Sequence, residues 1–253
     1  MASSHRHIGV SGVFFVLFGG TAAASALALQ DPAPPTKVLT MEDRGDIFGV
    51  RKMYREAIEA YKQLTPPTAI VLNKIGIAYQ QQNDMDSARK YYERAVKLQP
   101  NYAEAINNIG TVEYSNKNYR RATKYYKRAL VIQPRSASVY SNLGTAWFAR
   151  HNYKEATSCY EKAISIDPEV FERHGNRGVM LEQRDVQERT KLFYYMARVY
   201  AKKGMNELAL QYIRKALEGG FKDKKKFLEE EDFAELRKLP QFDELMKLEP
   251  RVL

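Results

Sequence analysis

Three consecutive stretches decide how this chain is read: PTAIVLNKIGIAYQQQNDMDSARKYYERAVKLQP (67–100), NYAEAINNIGTVEYSNKNYRRATKYYKRALVIQP (101–134) and RSASVYSNLGTAWFARHNYKEATSCYEKAISIDP (135–168). Laid one under another they align Gly76, Gly110 and Gly144, then Tyr92, Tyr126 and Tyr160, then Ala95, Ala129 and Ala163, then Pro100, Pro134 and Pro168. Ala88, Ala122 and Ala156 keep the same step, as do the large apolar Leu72, Ile106 and Tyr140. A unit that recurs at such a period cannot bury its own apolar face and must stack on copies of itself.

Within each unit the apolar positions follow a helical period. The spacing predicts a first helix over 69–82, 103–116 and 137–150, and a second over 86–98, 120–132 and 154–166. Glycine and alanine at the crossing let the paired helices approach closely, and the tyrosine of the second helix fills the space beside them. Each proline ends its helix, because it cannot continue the hydrogen-bond ladder and pushes the preceding residue out of the α region. Asn83-Asp84, Asn116–Asn118 and His151-Asn152 supply polar turns. The order of apolar, glycine, tyrosine, alanine and proline positions resembles the tetratricopeptide repeat. That resemblance implies an all-α fold, a right-handed α-solenoid of stacked antiparallel helix hairpins.

Outside 69–170 the pattern loosens. Gly45, Phe48, Ala57 and Tyr61 keep repeat-like offsets and mark a degenerate repeat over 38–68, cut short by Pro66-Pro67. Gly178 keeps the step of 34, but Ala197, Tyr200, Ala209, Ile213 and Ala216 give a better register, a divergent repeat over 190–223. Residues 171–189 then become an insertion, either an extra helix or part of one long helix from 171 to 203. Residues 224–253, with Phe227, Phe233, Leu236, Phe242 and Leu245 among many charges, read as the helical C-terminal cap that an exposed solenoid end requires. At the other end, the apolar run Ile8–Phe18 and the site Ala26-x-Ala28 match a secretory signal over 1–28, cleaved before Leu29. The alternative is a membrane anchor formed by residues 8–29. The Pro-rich segment 29–37 is an extended linker.

The chain has 253 residues, a net charge of +10, 17 Tyr, a single Trp and a single Cys. One cysteine excludes an internal disulfide framework and any multi-cysteine zinc cluster. Most of the tyrosine excess falls at framework positions (Tyr79, Tyr92, Tyr126, Tyr160, Tyr194, Tyr200), so it speaks for a core and against a base-stacking nucleic-acid platform. The charge is uneven. Segment 116–134 carries Lys117, Arg120, Arg121, Lys124, Lys127 and Arg128 and no acid. On one helix these six span an arc of roughly 120°, opposite the apolar side. They read either as a solvated outer face or as a basic stripe for an acidic partner or anionic lipid. The tail cluster Lys222 and Lys224–Lys226 precedes Glu229–Asp232 and is expected to neutralise locally.

In the family that the repeats resemble, the first helices line a concave groove. Carried over, its wall comprises Ile70, Asn73, Ile77, Gln80 and Gln81 in one repeat. Glu104, Asn107, Asn108, Thr111, Tyr114 and Ser115 follow in the next, then Ser138, Ser141, Asn142, Thr145, Phe148 and Ala149. The amides could bond an extended peptide and the aromatics give apolar footholds; the competing reading makes the asparagines helix-packing residues that satisfy one another. The family's carboxylate clamp needs basic residues where this chain has Asn73, Ile77, Ser138 and Asn142, so that version is not expected. No phosphate loop, nucleophile elbow or metalloprotease motif occurs, and no cofactor or metal is expected. Cys159 beside Tyr160 reads as a small core residue. The resulting expectation is a non-catalytic scaffold or adaptor, exported to the periplasm or secreted, that binds a protein or peptide segment in its groove. A membrane-tethered assembly factor using the basic stripe is the alternative, and an enzyme with an unrecognised site a remote one.

Overall fold

A computed structural model describes residues 38–172 and 186–248. The signal or anchor segment, the linker and most of the insertion lie outside these residues. The described chain is entirely helical, built of antiparallel helix pairs: α1 (Met41–Val50) with α2 (Tyr54–Lys62), α3 (Ala69–Gln81) with α4 (Met85–Leu98), and α5 (Ala103–Ser115) with α6 (Tyr119–Ile132). Then come α7 (Ala137–Ala149) with α8 (Tyr153–Ile166), and α9 (Val186–Lys202) with α10 (Asn206–Glu218). Helices α3 to α8 fall within one residue of the predicted spans. Phe171 and Glu172 lie in a turn rather than in a helix, and the described part of α9 runs from Val186.

The repeated glycine and tyrosine explain why each pair closes. A methyl group placed on Gly76 would fall 2.5 Å from Tyr92 Cε1; on Gly45, Gly110 and Gly144 it would meet Tyr61, Tyr126 and Tyr160 at 2.3, 2.7 and 2.5 Å. The ring of one helix therefore lies directly on the bare backbone of the other. In the last pair the same two positions, sixteen residues apart, hold Ala197 and Ile213, both fully buried. A larger residue on one helix is matched there by a smaller one on its partner.

The turn inside each pair places one residue in the left-handed region: Lys52 (φ 60°), Asn83 (62°), Lys117 (61°), His151 (58°) and Gly204 (68°). Lys117 is thus a turn residue and not part of the helix expected to carry the basic stripe. Thr40, Thr68, Asp84 and Ser136 cap the helices that follow them, each accepting a backbone N–H from three residues on.

Consecutive pairs pack so that the core continues from one repeat into the next. Phe148, Tyr160 and Ile164 reach the cluster formed by Tyr194, Tyr200, Tyr212, Phe227, Phe233 and Phe242. The C-terminal region supplies the last three of these through α11 (Lys225–Glu229), two short 3₁₀ segments and α12 (Pro240–Met246). It covers the apolar end that the fifth pair would otherwise leave to water. Its charges pair differently from the local neutralisation expected. Glu230 and Asp232 turn to Arg198 on α9, at 3.1 and 2.6 Å, and Tyr194 donates to Glu230. Lys226 pairs with Asp223 at 3.7 Å, and Lys224 donates to the carbonyls of Met246 and Leu248.

Candidate functional site

The first helices α3, α5 and α7 adjoin one another and carry the predicted groove residues. The asparagines on this wall bond mainly to each other. Asn108 Nδ2 donates to Asn73 Oδ1 at 3.0 Å, and Asn142 Nδ2 donates to Asn107 Oδ1 at 3.0 Å. Asn107 Nδ2 donates to Asn108 Oδ1 at 3.3 Å and joins the two rungs, while Asn73 Nδ2 reaches the Tyr102 hydroxyl at 3.4 Å. At the equivalent place one repeat earlier, Lys74 Nζ meets Glu42 Oε1 at 2.9 Å. An amide ladder with an ionic first rung therefore runs along the wall, each rung tying one repeat to the next. Asn73 and Asn142 are buried; Asn107 and Asn108 are half-buried. Their first role is to satisfy buried polar groups between repeats.

Other predicted wall residues divide similarly. Phe148 is fully buried, edge-on to Tyr153 and Tyr195, and gives no apolar foothold. Thr145 is buried and accepts from the Tyr160 hydroxyl at 3.4 Å; Thr111 accepts from Tyr126 at 3.4 Å. Gln80 Oε1 accepts from Tyr92 at 2.8 Å, Ser138 faces Ser136 at 3.2 Å, and half-buried Tyr114 lies 5.2 Å from Tyr119. On α3 the wall leaves Ile70 and Ile77 to solvent, 50% and 41% exposed and seven residues apart, and on α5 it leaves Glu104 and Ser115 exposed. Two helical turns separate the isoleucines, so they share one face.

The basic stripe splits into two groups. Lys117, Arg120 and Arg121, joined by Arg150 from the next repeat, line an open cavity of about 520 Å³ with Asn118 and Tyr119. Lys124 is exposed. Lys127 lies over the Trp147 ring at 4.9 Å, and Arg128 Nη2 donates to the Pro100 carbonyl at 2.9 Å. Behind the first group sits Glu113, whose side chain is fully buried. Arg89 meets Glu113 Oε1 at 3.0 Å as an ion pair rather than a directed hydrogen bond, Asn118 donates to Oε2 at 2.9 Å, and Arg121 stands 3.9 Å away. A glutamate on an otherwise polar helix end reads in sequence as a solvated charge. The signal that could have found it is its position, which holds Tyr79, Trp147 and Tyr200 in the other repeats.

Burial pushes the Cys159 thiol up to about 11, the opposite of what a nucleophile needs. Among the described residues no three His, Cys, Asp or Glu side chains are grouped to hold a metal ion, and no helix is long and apolar enough to cross a membrane.

Sequence models of the tetratricopeptide repeat match residues 42–101, 68–135, 137–170 and 190–218. A search of curated proteins returns no match. Among solved structures, MamA is 25% identical, with 72% of this chain and 96% of that chain covered and a TM-score of 0.49. YrrB, described as a TPR protein with an unusual peptide-binding site, is 22% identical over 51% of this chain and 68% of its own, at a TM-score of 0.45. The APC/C hetero-tetramer Cut9–Hcn1 is 17% identical over 78% of this chain and 35% of that one, at 0.51; it shows a shared fold alone.

Proposed function

The chain belongs to the tetratricopeptide-repeat family, and from that premise we propose that it is a non-catalytic scaffold whose first-helix wall binds a segment of a partner protein. The observation that carries this reading is the pair Ile70 and Ile77, exposed on one face of α3 beside the half-buried amides Gln80, Gln81 and Asn108. Two aligned isoleucines left in water on the wall that lines the family's groove form an apolar foothold, while amides at its margin hold an extended backbone. The bound segment is accordingly apolar at two side chains and carries little net charge. A photo-crosslinking residue at position 77 in the full chain is expected to capture a partner that one at position 97, on the outer helix α4, does not. Ile70→Asp with Ile77→Asp should abolish the adduct of a crosslinker placed at position 81; identical adducts from 77 and 97 overturn the assignment.

The proposed compartment is an exported one, supported by the sequence pattern Ile8–Ala28. N-terminal sequencing of the mature chain is expected to start at Leu29, and a retained Met1 in a membrane fraction replaces export with anchoring. The basic cavity of Lys117, Arg120, Arg121 and Arg150 supports a second surface for an acidic partner or anionic lipid.

A further inference from the structure

In two repeats an aromatic residue of the first helix stacks on one twelve residues later in the second. Tyr79 and Tyr91 lie 5.4 Å apart with planes 23° from parallel, and Tyr200 and Tyr212 lie 5.2 Å apart, also at 23°. The same two positions in the third full repeat hold Trp147 and Cys159. A cysteine cannot supply the second ring. Around the missing ring is a cavity of about 390 Å³, lined by Leu130, Val131, Tyr140, Leu143, Trp147 and Cys159, with Lys127, Lys162 and Glu155 among its polar residues. Val131 is 84% exposed at its edge. The cavity is open to solvent, wide enough to admit a side chain rather than to enclose a free small ligand.

The cations around the indole are the second observation. Lys127 Nζ lies 4.9 Å and Arg150 Cζ 4.3 Å from the Trp147 ring centre, so long flexible side chains cover the ring where Tyr91 and Tyr212 cover Tyr79 and Tyr200. Arg150 also lines the neighbouring cavity with Lys117, Arg120 and Arg121, so a basic surface continues from the slot. Against these cations the slot itself presents one carboxylate, Glu155.

We propose that this slot is a docking site for an aromatic side chain carried on an acidic segment of a partner protein. The aromatic ring enters between α6, α7 and α8 and completes the stack on Trp147 that the repeat lacks. Flanking carboxylates draw Lys127 off Trp147, and Lys162 off Tyr140 where its Nζ lies 5.5 Å from the ring centre, into ion pairs and extend towards Arg150. The site lies on a different face from the Ile70–Ile77 wall and goes beyond that reading: either can fail without the other.

Trp147 is the chain's only tryptophan and reports on its own slot. The test uses the full chain and a fluorescein-labelled, end-blocked pentapeptide of four glutamates around a central phenylalanine, read by anisotropy, with unlabelled peptide for Trp147 emission. The phenylalanine peptide is expected to bind about fivefold or more tighter than its central-alanine counterpart and to change Trp147 emission. Binding should weaken as salt is raised. Cys159→Tyr should supply the ring internally and remove the preference for phenylalanine. Lys127→Glu with Lys162→Glu, at exposed positions, should weaken the peptide at least tenfold, and this pair of reversals keeps the proposal testable should the tyrosine variant not fold. Equal binding of the two peptides, unchanged Trp147 emission, or no effect of the lysine reversals overturns the proposal.

Discussion

Replacing Gly76 by alanine should destabilise the chain although alanine is the better helix former. The new methyl group would fall 2.5, 2.6 and 3.1 Å from Cε1, Cδ1 and Cζ of Tyr92, where carbon atoms normally rest at about 3.5–4.0 Å. The ring must move by roughly 1 Å, against the pull of its hydroxyl on Gln80 at 2.8 Å and in a site with no solvent exposure. Overpacking of that kind costs up to about 3 kcal/mol, and the gain in helix propensity returns about 1, leaving a net loss of about 2 kcal/mol. The fifth pair shows the compensated form, Ala197 with Ile213. Tyr92→Ile alone should cost about 2–4 kcal/mol through the cavity it opens. In the double variant the clash is gone, so Gly76→Ala should become neutral or favourable by up to about 1 kcal/mol, giving a coupling of about 2–3 kcal/mol. Thermal and urea unfolding followed by circular dichroism, on wild type, both single variants and the double, measure it. Effects that add to within about 0.5 kcal/mol would refute the ring-on-glycine account.

Glu113→Ala should lower stability by about 3 kcal/mol, the lower end for breaking a buried pair because Arg89 is partly solvated, and the urea midpoint checks this. Asn107→Ala removes one rung and the link to the next, and should cost about 1–2 kcal/mol in the same assay without altering helix content. Lys117→Gly relieves a left-handed backbone at φ 61° and should raise the melting temperature slightly, a gain below about 1 kcal/mol because glycine is freer in the unfolded chain. Cys159 gives a pH dependence. Its thiol titrates near 9 in the unfolded chain and about 11 when folded, so the folded state retains the proton longer. That stabilisation is full below pH 9 and is lost as pH rises towards 11, and native-state alkylation should stay slow at pH 8 while denatured chain reacts fast.

The helix pairs are legible in the sequence because each depends on a relation inside one unit. A glycine, a tyrosine sixteen residues later and a proline past it state the packing almost completely. Relations between units are harder to read. Asn108 and Asn142 follow Asn73 and Asn107 by 35 residues, one more than the repeat, and that offset is the written trace of rungs between repeats. Periodicity places these asparagines on the inner wall but does not say whether their amides face a ligand or a neighbour. Phe148 is misplaced by periodicity for a related reason: its repeat precedes the insertion, and Tyr195 closes over it from α9. Glu113 and Arg150 act through contacts between successive repeats, and the tail acids bond to Arg198 more than thirty residues away, none of which local charge counting can reveal.

The amide ladder also sets a rule for how such a chain can change length. Each amide rung joins a residue to one 35 positions on, so removing or copying a block of 34 leaves a donor opposite an acceptor. Excising 103–136 would bring Asn142 against Asn73, the partner that Asn108 has now. Removing 35 residues, 103–137, would instead bring Leu143 against Asn73 and leave a buried amide unsatisfied. Growth and loss in the middle of the array are thereby confined to whole units, while the ends, where the ladder begins in an ion pair, are free to diverge.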